Sequence, residues 1–106
     1  MSKELAKMSK DERSLILFFE SASVAYGGRL NTAHMNADDI KIAEDWTDEK
    51  FVTFSRIASH FLKGDKTHSV VLSDDAWRIA HEERRQRFNR LYLKKNWLTT
   101  SEYLTK

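Results

Sequence analysis

Phe51-Val-Thr-Phe-Ser-Arg-Ile57, Lys63-Gly-Asp-Lys66 and His68-Ser-Val-Val-Leu72 follow one another within residues 51–90, and their order decides the fold. The first run alternates apolar and polar residues, the period of a half-buried strand. Gly64 tolerates the positive φ that a tight hairpin turn often requires. The second run supplies the return strand, and Ser73-Asp-Asp75 then opens a long, arginine-rich helix. The expected fold is α+β and mostly helical, with a two-stranded hairpin leading into a long C-terminal helix.

Working outward, Ser9-Lys-Asp-Glu12 matches a capping box, in which serine and glutamate each satisfy a free backbone N–H. The helix that follows sets Leu15, Phe18, Phe19, Ala22 and Tyr26 on a 3.6-residue period, and Gly27-Gly28 ends it. Residues 1–8 are expected to be a frayed N-terminal extension. Residues 29–35 have room for a strand residue or two and a single helical turn. Asn36 is a good N-cap, with Asp38 and Asp39 at the positive end of the helix dipole. That second helix presents Ile40, Ala43 and Trp46 on one side and ends before Phe51. The last helix is expected from Ser73 to about Lys95, with Trp77, Ala80, His81, Phe88, Leu91 and Tyr92 on its apolar arc. One domain over residues 9–95 is the expected organisation. Residues 96–106 then form a tail in which Trp97 is the candidate interface anchor.

A chain of 106 residues supports a single modest core, and 41% hydrophobic with 32% charged residues is the composition of a globular protein. Without cysteine there is no disulfide, thiolate nucleophile or cysteine-ligated zinc. The longest apolar run, Leu15–Phe19, is far short of a membrane span, and the first residues lack a signal-peptide core. A cytoplasmic protein that makes no membrane contact is expected.

The net charge of +2 hides an asymmetry: residues 1–50 carry a net −3 and residues 51–106 a net +5. One face is therefore expected to meet an anionic partner. Arg56, Lys63 and Lys66 on the hairpin, and Arg84, Arg85, Arg87, Arg90 and Lys94 on the last helix, are the candidate nucleic-acid contacts. The competing readings are a solvated hairpin edge and a helix of favourable Glu-to-Arg spacings such as Glu83–Arg87. Arg84 and Lys95 fall inside the apolar arc, where snorkelling along neighbouring aromatics is the simplest expectation. His34, His60, His68 and His81 lack metal-ligand spacing; only His60 and His68 can meet across the hairpin. No catalytic motif is present, so neither an enzyme nor a cofactor is expected.

The Asn36–Trp46 helix, Glu49-Lys-Phe-Val52 and Leu72-Ser-Asp-Asp-Ala-Trp77-Arg-Ile-Ala-His81-Glu carry a resemblance. Over roughly residues 10–90 the chain resembles the winged helix-turn-helix superfamily, especially its compact MarR-like members. As a whole it also resembles small bacteriophage proteins. The resemblance implies a transcriptional regulator, viral or prophage in origin and acting in the host cytoplasm. Double-stranded DNA is the implied partner, with the Asn36–Trp46 helix in the major groove and the wing on the backbone. This helix departs from that pattern, since Asp38, Asp39, Glu44 and Asp45 face a single Lys41. Acids beside phosphates are repelled. The wing and basic C-terminal helix are therefore expected to carry the DNA contacts, with a homodimer formed through that helix. The alternative is an adaptor or inhibitor of a host polymerase, nuclease or defence complex, binding through Asp38, Asp39, Glu44, Asp45 and Trp97.

Overall fold

The computed structural model describes residues 3–58 and 64–105, with side chains described as far as Tyr92. Helix α1 (Lys10–Tyr26) starts as its sequence requires: the Ser9 hydroxyl accepts from the Glu12 amide at 3.1 Å, and the Glu12 carboxylate accepts from the Ser9 amide at 3.0 Å. Gly27 closes it at φ 62°, the left-handed conformation that a Cβ disfavours. The same reciprocal cap recurs at α2 (Ala37–Asp48), where Asn36 and Asp39 exchange bonds of 2.8 and 3.2 Å. Ser73 Oγ accepts from the Ala76 amide to start α3, which runs over Asp74–Thr105. The helix thus continues past the Lys95 end expected from sequence, because no proline or glycine interrupts it.

Three strands form one antiparallel sheet: β1 (Arg29–Leu30), β2 (Val52–Arg56) and β3 (His68–Leu72), in the order β1-β3-β2. Val52 faces Leu72, Phe54 faces Val70 and Arg56 faces His68 across the hairpin, while Arg29 faces Ser69 on the other side of β3. The expected two-stranded sheet therefore gains a strand from the segment that had room for one. A single 3-10 turn, Thr32–His34, follows it. Gly28, at φ 88°, lets the chain close on β3, and its carbonyl accepts from the Val70 amide at 2.8 Å.

The core is centred on Trp46 and Phe19, both essentially inaccessible, with Ile16, Val52, Val70 and Ile79 around them. Phe19 meets Trp46 edge to face and stacks on Phe54, and Trp46 meets Phe51 edge to face. Leu5 and Met8 join this core, so this part of the 1–8 segment packs where fraying was expected. Arg13 holds them there by donating to the Met8 and Leu5 carbonyls at 3.2 and 2.9 Å. Tyr26, expected on the core face of α1, is exposed.

On α3 the buried stripe is Ala76, Ile79, Ala80 and Glu83, with Trp77 half-buried beside it. Phe88, Leu91 and Tyr92, expected on the same apolar arc, are 61%, 53% and 39% exposed. The helix has passed the edge of the core there. Among the described residues no helix is long and apolar enough to cross a membrane.

A Cβ at Gly28 would come within 2.4 Å of the Val70 carbonyl oxygen, whereas one at Gly27 meets nothing within 4 Å. Gly27→Ala is expected to cost about 1 kcal/mol through φ alone. Gly28→Ala is expected to cost about 3 kcal/mol or more, because the β1–β3 contact must also open. Urea denaturation of the two variants measures the difference.

Candidate nucleic-acid interface

The open end of the sheet collects cations because the register sets them around β3. Arg56 closes β2 opposite His68, Arg29 opens β1 opposite Ser69, and Lys66 immediately precedes Thr67-His68. Beside them a cleft of about 430 Å³ has Phe18, Ala22 and Leu30 as its apolar floor and Tyr26, Arg29, His34 and Lys66 among its rim residues. Lys66 is partly committed: its ammonium lies 3.5 Å from Asp65 and 4.5 Å from the centroid of the Tyr26 ring. The Lys66 charge, with hydrogen bonds from Lys66 and Asn31, holds the Asp65 carboxyl below the usual carboxylate value. Arg29 and Arg56 are exposed and have no salt bridge among the described residues. Lys63 and His60 lie outside the described residues.

The arginines of α3 are differently placed. Arg84 donates through Nε to Glu20 of α1 at 2.5 Å and reaches the Ser21 hydroxyl at 3.2 Å. It does not merely snorkel. Glu20 is 5% exposed and also lies 3.4 Å from His81 Nε2. Arg87 and Arg90 converge on one oxygen of Glu83, at 3.1 and 3.3 Å, and Glu83 is fully buried. An ionised carboxylate inside a core is costly unless paired. Three of the α3 arginines thus answer to two buried acids before any external partner. Arg85 is exposed without a salt bridge among the described residues, and the Lys94 side chain lies outside them.

The solvent face of α2 is acidic. Asp38, Glu44, Asp45 and Asp48 are exposed, and Asp39 is held in the cap. Lys41, the one base on this helix, approaches Asp45 only to 3.9 Å. The Trp97 side chain lies outside the described residues. Among the described residues no cluster of three potential metal ligands forms.

The sequence did not point to Tyr26, Arg29 and His34 as cleft residues, nor to Glu20 as a partner of Arg84. The signal for Glu20 was legible: it follows Leu15-Ile-Leu-Phe-Phe19 and stands one turn after Ile16, on the buried side. No comparable signal brings Arg29 to the cleft, because the β1–β3 pairing that places it spans two residues. Compared with known proteins, the chain has no matching family model, curated relative or solved structure.

Removing Glu83 and removing its partners should differ. Arg87→Ala with Arg90→Ala strands a buried carboxylate and is expected to cost about 2–3 kcal/mol. Glu83→Met frees two half-exposed arginines to water and is expected to cost less than about 1 kcal/mol. Denaturant midpoints of the two variants give the comparison.

Burial first, then the Arg56 charge, holds the His68 imidazole below its ordinary value of 6.5. The unfolded chain takes up this proton first, so the contribution of the neutral ring is fully present above about pH 6.5. It is lost as pH falls through the lower, folded value. His68→Phe, which keeps a ring on Phe54, is expected to flatten the acid limb of the thermal midpoint between about pH 7 and pH 5.

Proposed function

We propose that this is a winged-helix DNA-binding protein acting in transcriptional regulation, which holds duplex DNA mainly by its phosphates. Support for the fold reading comes from the element order: helix, strand, short helical turn, helix, hairpin, with β1 pairing to β3 beside β2. In this reading β2 and β3 are the wing, and α2 occupies the position of the recognition helix. The observation that carries the DNA reading is the unequal commitment of the cations. Arg29 and Arg56 are exposed at the sheet end without a salt bridge among the described residues. Arg84, Arg87 and Arg90 are instead tied to buried glutamates.

DNA contact therefore centres on Arg29, Arg56 and Lys66, with Arg85 extending it along α3; Lys63 and Lys94 are added on the sequence alone. The acids on α2 keep that helix from close approach to the backbone, so binding is weakly sequence-specific. The exposed Phe88, Leu91 and Tyr92 offer a surface for a homodimer through α3.

The acidic face of α2 favours a second reading, in which the same fold docks on a basic patch of a host protein. Charge neutralisation on α2 separates the two. Asp38→Asn with Glu44→Gln and Asp45→Asn strengthens DNA binding in the first reading and removes partner binding in the second.

The test is the affinity for a labelled random duplex at about 50 and about 200 mM salt. Phosphate contacts by the three placed cations of the sheet end, Arg29, Arg56 and Lys66, give a slope of about −2.7 in log affinity against log salt, roughly a forty-fold loss over that range. Arg29→Ala with Arg56→Ala should lower the slope by about 1.8. No binding at the lower salt would refute the DNA reading.

A further inference from the structure

The cleft beside β1 joins an apolar floor to a cationic rim. Its volume of about 430 Å³ lies within the range of about 300–1,000 Å³ common to small-molecule sites. Ala22 and Leu30 of the floor are buried, and Phe18 packs against the core beside them. No acid is among the residues that line the cleft. Lys66 shares its charge with Asp65 at 3.5 Å. Arg29 is exposed and its side chain has no salt bridge among the described residues, so it is the rim cation open to an external anion.

Tyr26 adds an aromatic face to the same rim. Its ring is 59% exposed, although a side chain of that size gains most from burial. The Lys66 ammonium stands over it, 4.5 Å from the centroid, and the rest of the ring meets solvent. An occupant that matches the cleft therefore offers a flat apolar surface to the floor and ring, and an anionic group to Arg29. A nucleotide offers both. Every base has a π-face that stacks on an aromatic side chain, and the guanidinium fork fits the phosphate oxygens. An aliphatic acid would satisfy Arg29 and gain nothing from the ring. A paired base inside a duplex has both faces already stacked. Arg29 is also one of the cations assigned to the DNA backbone, so a nucleotide whose phosphate rests on it lies beside the cleft.

We propose that the cleft receives an unpaired base from the single-stranded end of a DNA duplex, with its phosphate on Arg29 and its ring against Tyr26 and the apolar floor. Resting on the DNA reading, this site gives the protein a preference that backbone contacts alone do not supply, for duplexes with an unpaired end over intact ones. No covalent bond is made or broken.

Fluorescence anisotropy of the full chain with labelled duplexes tests this. One duplex is blunt, one carries a short single-stranded overhang, and one carries an overhang of the same length made of abasic nucleotides. The abasic strand keeps the added phosphates and removes only the bases. The base-bearing overhang is expected to bind at least about fivefold tighter than the abasic one, the return from stacking a single base. Ala25→Trp, at an exposed position lining the cleft, should fill it and erase that ratio while leaving the affinity for the blunt duplex unchanged. Tyr26→Ala, with its fold checked by circular dichroism, should lower the ratio as well. Equal affinity for the two overhangs, or a ratio that survives both variants, would overturn the site and leave the DNA reading standing. Binding of adenosine 5′-monophosphate in the cleft while the two overhangs bind equally would overturn the assignment to a DNA end in favour of a free nucleotide. No binding of any of the duplexes would overturn the site and the DNA reading together.

Discussion

Phe19 and Trp46 meet edge to face with their ring centroids 6.3 Å apart, and the other elements are arranged around that contact. Phe19 belongs to α1 and Trp46 to α2, and each meets an aromatic residue from the β2 region, Phe54 and Phe51 respectively. Aromatic pairs of this kind contribute about 0.5–1.5 kcal/mol beyond their buried area. Their larger effect is geometric. With α1 and α2 fixed against the root of the hairpin, β3 passes beneath α1 and leads directly through Ser73 into α3. The acids of α2 are thereby turned to solvent, because Ala43 and Trp46 take its inner face.

The second constraint is electrostatic. Glu20 and Glu83 are buried on facing sides of the α1–α3 contact; Glu20 draws Arg84 from α3, and Glu83 draws Arg87 and Arg90. A basic helix that looks free in sequence is therefore partly self-neutralised. Arg29 and Arg56 at the sheet end, by contrast, have no salt bridge among the described residues. Charge totals alone do not reveal this division, since +2 overall is compatible with either arrangement.

Helix starts were the most legible features. Ser9 and Glu12, and Asn36, satisfy free amides within four residues, so a local pattern contains the cause. The β3 boundaries were also legible, bounded by the turn and the Ser73 cap. The third strand was legible only as room for a strand residue or two in 29–35; its pairing was not, because two residues are too few for alternation to register and its partner β3 lies about 40 residues along the chain. The α3 stripe was misread for a related reason. A wheel weights Phe88, Leu91 and Tyr92 as core, yet whether the core extends that far depends on where α1 begins beside Arg87 and Arg90. The buried acids were hidden because charge is ordinarily read as surface, and only a partner in space can contradict that.

In the proposed DNA reading, phosphate contact belongs to the open end of the sheet and not to α2. Backbone amide shifts of the full chain, followed by NMR while a random duplex is added, test it directly. The largest movements are expected at Arg29, Arg56 and Lys66, with Asp38 to Asp48 nearly still. Movements concentrated on α2, with the sheet end unchanged, would contradict it.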